Sequence, residues 1–82
     1  MQNYPNPFNP TTTVAYTLPR AGRVRLVVYD ALGEEVSTVL DASQDAGYYT
    51  TTISAENLAS GVYFYRLTAG DFNAVRKMLL IR

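Results

Sequence analysis

An all-β antiparallel sandwich of about seven strands is the fold class that this 82-residue sequence predicts, and three observations predict it. Short runs rich in Val, Thr, Tyr and Ile alternate apolar with polar residues, which is the period of a half-buried strand. Turn residues punctuate these runs at the spacing expected of a small sandwich. Finally, Leu58, Gly61 and Tyr63 have the L-x-x-G-x-Y spacing of a tyrosine corner, the device that carries an immunoglobulin-like chain over the end of one sheet into a central strand of the other. The glycine suits a tight turn or positive φ, the leucine a plug at the base of the core, and the tyrosine hydroxyl a bond to backbone just upstream. The plain alternative is an ordinary turn glycine followed by an ordinary core aromatic.

Taken in order, residues 1–10 form a proline-rich edge segment of the same domain, and residues 11–82 form the sandwich itself. The first segment, through Tyr4, Pro5, Asn6, Pro7, Phe8, Asn9 and Pro10, holds three of the four prolines. Proline lacks the N–H needed inside a sheet and pushes its predecessor towards extended backbone. Tyr4 and Phe8 are expected to anchor the segment on the core. Residues 11–18 then read as a half-buried strand, with Val14, Tyr16 and Leu18 on one face and Thr13, Ala15 and Thr17 on the other. Pro19 to Gly22 breaks the run, and a hairpin into residues 23–30 is the natural connection, with Val24, Leu26 and Val28 facing the core.

Asp30-Ala31-Leu32-Gly33 is a turn, in which the aspartate can accept from nearby backbone N–H groups. Residues 34–41 give a third alternating strand, with Val36, Thr38 and Leu40 on one face and Val39 on the other. Residues 42–47 read as a polar loop. Residues 48–54 are strand-like, since the consecutive threonines 50–52 resist a helix. The strand at 62–69 is apolar on both faces and is therefore expected to be central. Gly70-Asp71 is a two-residue hairpin signal, and residues 72–81 pair back as the last strand.

Composition narrows the function classes. Seven basic and seven acidic residues cancel, so no net field draws the domain to nucleic acid or an anionic membrane. Cysteine and histidine are both absent, which removes thiolate metal sites, disulfides and the commonest general base. No cofactor is implied. The longest apolar runs fall far short of the roughly 18 residues of a transmembrane segment. Met1 is followed by no basic-then-apolar leader, so an export address is expected elsewhere in a longer parent or in the domain itself.

No arrangement of residues predicts a catalytic or metal site. Glu34 and Glu35 are adjacent and point to opposite faces of a strand. Asp41 and Asp45 flank a loop but fall short of a calcium-binding ligand pattern. Arg20, Arg23 and Arg25 read as a solubilising, edge-protecting strand face. The seven tyrosines raise a rival function, an accessory carbohydrate- or surface-binding module of a secreted enzyme, although alternation places most of them in the core. A structural spacer is a third reading. The C-terminus is the least ordinary feature: Lys77, Met78, Leu79, Leu80, Ile81 and Arg82 make an apolar strand bracketed by basic residues. A receptor can read such a strand through its side chains, its edge or a terminal carboxylate.

Four ordered motifs then carry a family resemblance: Tyr4-Pro5-Asn6-Pro7-Phe8-Asn9-Pro10, Val28-Tyr29-Asp30-Ala31-Leu32-Gly33, Leu58-Ala59-Ser60-Gly61-Val62-Tyr63 and Lys77-Met78-Leu79-Leu80. Together they resemble the C-terminal sorting domain of type IX secretion cargo proteins, and the chain is also similar to the immunoglobulin-like domain of flagellar hook-capping proteins. Ile53 stands where many relatives carry tryptophan. The resemblance implies a non-enzymatic sorting domain at the end of a larger cargo protein, passing through the periplasm to be attached at the cell surface or released. It implies an outer-membrane translocon and a cell-surface sortase as partners, with Lys77 to Arg82 as the sorting signal and Leu58, Gly61, Tyr63, Asn6, Pro7 and Phe8 as structural motifs. On that view Arg82 is expected to be the native terminus.

Overall fold

The computed structural model describes residues 3–4, 11–55 and 58–81. Seven strands are present among the described residues: β1 (Asn3–Tyr4), β2 (Thr11–Leu18), β3 (Gly22–Asp30), β4 (Glu35–Gln44), β5 (Gly47–Ser54), β6 (Gly61–Ala69) and β7 (Phe72–Leu80). They form a three-stranded sheet in the order β1-β2-β5 and a four-stranded sheet in the order β4-β3-β6-β7. All pairings are antiparallel. The fold is the expected all-β sandwich, and no helix occurs among the described residues.

The core follows from alternation. Val14, Tyr16, Leu18 and Ile53 from the first sheet meet Val24, Leu26, Val28, Tyr65, Leu67, Met78 and Leu80 from the second. Each aliphatic side chain so buried contributes roughly 1.5–3 kcal/mol. In β2 the buried and outward positions alternate as the sequence predicts, with Thr12 also inside. Strand β6 lies between β3 and β7, as a strand apolar on both faces should.

Two turns are set by their sequences. The Asp30 carboxylate accepts from the backbone N–H of Leu32 and of Glu34, each at 2.9 Å, closing the β3–β4 hairpin. At the β6–β7 hairpin, Ala69 and Phe72 are register partners. Gly70 takes φ +60 while no non-glycine residue among those described is positive. This is the sign pattern of a type II′ turn, whose first central position favours glycine.

Three expectations are corrected. The connection from β2 to β3 is not a hairpin: β2 pairs with β1 and β5, whereas β3 pairs with β4 and β6. Pro19 to Ala21 therefore carries the chain from one sheet to the other. The polar segment expected at 42–47 is shorter, because Ala42, Ser43 and Gln44 continue β4 opposite β3. Within β4, simple alternation also fails. Leu26 and Val27 pair with Leu40 and Thr38, and Val28 and Tyr29 pair with Ser37 and Glu35, so Val39 and Val36 are each an extra residue. Two bulges on an edge strand increase local twist and blunt the edge against pairing with another chain. They also turn both Val39 and Leu40 towards the core.

Candidate functional site

The C-terminal strand divides its side chains between two faces. Met78 and Leu80 are each 1% exposed and belong to the core. Leu79 and Ile81 are 40% and 48% exposed, and Lys77 is also exposed. The pairings of β7 with β6 place Lys77 beside Phe64 and Leu79 beside Val62, on the outer face. Strand β7 ends the sheet order β4-β3-β6-β7. Packing thus holds the strand in place while every second residue meets solvent. Arg82 and the Asn6, Pro7 and Phe8 motif lie outside the described residues.

The segment from Leu58 to Tyr63 leads into β6. The Leu58 N–H donates to the Ala55 carbonyl at 3.0 Å, and the Leu58 side chain packs half-buried against the core. Gly61 has φ +155, and the buried Tyr63 donates its hydroxyl proton to the Ala59 carbonyl at 2.7 Å. Tyr63 is the register partner of Met78, so this segment packs beside the inward face of β7.

The arginines are placed differently from the sequence expectation. Strand β3 is internal to its sheet, so Arg23 and Arg25 do not protect an edge. Both converge instead on Asp41 of β4, Arg23 Nε at 2.8 Å from Oδ1 and Arg25 Nε at 3.7 Å from Oδ2. The Arg23 hydrogen bond, with the charges of both arginines, holds the Asp41 carboxyl below its ordinary range against the opposing effect of desolvation. A depressed folded-state pKa means that the contribution is present above the ordinary value and is lost as pH falls through the depressed one. The pair is exposed, so its effect on stability is small. In an NMR pH titration, the Asp41 midpoint is expected below the ordinary carboxylate range, rising in Arg23→Gln; no change on that substitution would contradict the assignment.

With Asp41 engaged in this way, the Asp41–Asp45 pair makes a poor cation site, and the described residues contain no group of three or more His, Cys, Asp or Glu suited to a metal. A cleft of about 700 Å³ opens where Pro19 to Gly22 approaches the Gly70 hairpin. It is lined mainly by apolar side chains such as Leu18, Leu67 and Phe72, with Arg20 and Asp71 its charged lining residues. Among the described residues the tyrosines form no platform for sugar stacking. Of the tyrosines with described side chains, only Tyr48 is exposed, at 70%, while Tyr16, Tyr63 and Tyr65 are buried. Tyr49 stacks on Tyr16 with ring centroids 5.5 Å apart.

Sequence reasoning assigned the terminal strand but not the surface beside it. Val62 and Phe64 of β6 and Tyr29 of β3 form a continuous outer surface with Lys77 and Leu79, through the pairs Tyr29–Phe64, Phe64–Lys77 and Val62–Leu79. The available signal was the two-sided apolar pattern of residues 62–69.

The model of one protein family, described as a secretion system C-terminal sorting domain, matches residues 2–81. Comparison with curated proteins and with solved structures returned no match.

Proposed function

Starting from the chain's membership of the secretion system C-terminal sorting domain family, we propose that Lys77, Leu79 and Ile81 of the terminal strand are read by the export machinery while Met78 and Leu80 hold that strand in register. The domain is a C-terminal sorting signal for type IX secretion cargo, and its family is not a catalytic one. Such a domain is attached to an N-terminal cargo, is recognised by the secretion machinery, and directs passage through the periplasm to the cell surface or the medium. In our reading, the recognising component is an outer-membrane translocon, after which a cell-surface sortase processes the cargo. Leu58, Gly61 and Tyr63 act by holding the fold.

The observation that carries this reading is the division of the terminal strand: inward Met78 and Leu80 are 1% exposed, whereas outward Leu79 and Ile81 are 40% and 48% exposed and Lys77 is exposed as well. A strand used only to close a sheet has no need of two large apolar side chains facing solvent at its end. The test is export of a reporter fused ahead of this domain, with and without residues 77–82, in a host that has the secretion system. The full fusion is expected outside the cell and the truncated one in the periplasm. Equal retention of both, or equal export, would sink the proposal.

A further inference from the structure

We propose that the β6–β7 half of the outer face of the four-stranded sheet is a docking surface for a protein partner that presents carboxylates around an apolar patch. The proposal rests on the sorting reading above and extends its recognition surface from the terminal strand to residues of β6.

The backbone register assembles this surface in rows. One row runs Thr38–Val27–Arg66–Val75 and the next Glu35–Tyr29–Phe64–Lys77, followed by Val62 beside Leu79. Val75 is 45% exposed, and Val62 and Phe64 are half-buried. Val27 is only 2% exposed despite facing outward; long stems such as those of Arg25 and Arg66 can cover such a residue while keeping their charged ends in water. The result is an apolar patch that continues into the outward side chains of the terminal strand.

Charge defines the partner. On this half of the face Arg66 and Lys77 are cationic, and none of its described residues is a carboxylate. The acidic residues of the same face, Glu35 and Asp41, lie on β4 at the far side, with Asp41 bound by Arg23 and Arg25. A chain with no net charge therefore carries a locally basic apolar surface. The outer face of the other sheet differs: the outward positions of β2 and β5 include Thr11, Thr13, Thr17, Thr50 and Thr52, all exposed and uncharged. A second copy of the chain is disfavoured as occupant, because a two-fold axis through this patch would set cations against cations. Continuity with the strand read in sorting favours a protein of that machinery, with acidic groups meeting Arg66 and Lys77.

The test again uses the exported reporter fusion. Arg66→Glu and Phe64→Ser are expected to lower the secreted fraction about tenfold or more, with accumulation in the periplasm. Arg66→Lys and the control Thr50→Glu on the other sheet should export normally. Urea unfolding of each purified domain checks that it is folded; if Arg66→Glu is not, Val75→Glu at an exposed edge position poses the same question. Normal export of folded Arg66→Glu and Phe64→Ser, with the 77–82 truncation still retained, would overturn this proposal and leave the sorting reading standing. Export of the truncation would overturn the sorting reading itself. Two other results would also overturn the protein assignment: binding of the parent domain, but not Arg66→Glu, to phosphatidylglycerol vesicles with export unaffected, or a dimer in sedimentation that Arg66→Glu dissociates.

Discussion

Replacing Tyr63 by alanine is expected to destabilise the domain by about 3–5 kcal/mol. The side chain is 8% exposed, and its loss leaves a cavity between β6 and the core besides removing the hydrogen bond to the Ala59 carbonyl. An 82-residue domain has roughly 4–12 kcal/mol in total, so this one truncation removes a large share of it. Tyr63→Phe isolates the hydroxyl and should cost about 1 kcal/mol. Gly61→Val tests a different cause. A Cβ at position 61 would meet nothing within 4 Å, but φ of +155 strains any L side chain, so the expected cost of about 1–3 kcal/mol is backbone strain and not collision. Thermal or urea unfolding measures all three, with about 4–8 °C lost per kcal/mol. Unchanged melting in both Tyr63→Ala and Gly61→Val would refute the structural role given to this corner.

The elements were legible because each is specified locally. Residues 11–18 alternate in an unbroken run, and β2 occupies those residues. Gly70-Asp71 combines a residue suited to positive φ with a two-residue length, and a hairpin forms there. What local sequence does not encode is which strand lies beside which. Pro19 to Ala21 could equally well close a hairpin or cross between sheets, and only the sharing of β3 between β4 and β6 decides it. The bulges at Val36 and Val39 were hidden for a related reason: an extra residue is defined against the partner strand, not within its own. At the candidate site, the sequence singles out the strand 77–82 but not its neighbours. Arg66 and Val75 face each other across the Gly70-Asp71 hairpin, but Val27 joins their row only through the long-range pairing of β3 with β6. Arg23 and Arg25 were misread similarly, since their partner Asp41 is supplied by the adjacent strand.

The second large effect concerns the terminal strand, where stability and sorting are expected to separate by parity. Deleting residues 77–82 removes Met78 and Leu80 from the core along with the outward side chains, so retention of that truncation has two causes mixed together. Single substitutions divide them. Leu80→Ala is expected to cost about 2–5 kcal/mol, and any loss of export should be recovered at a growth temperature well below its melting point. Lys77→Glu combined with Leu79→Ser alters positions that face solvent, where substitutions cost much less stability than at a core position such as Leu80. That variant should melt near the parent yet remain in the periplasm at every temperature, because contacts made to a partner are absent from the folding equilibrium of the isolated domain. If it is exported like the parent while Leu80→Ala is retained only when unfolded, the machinery responds to foldedness alone, and the outward side chains of β7 carry no address. If both behave as expected, one strand serves two equilibria, with its even positions holding the sandwich closed and its odd positions meeting the receptor.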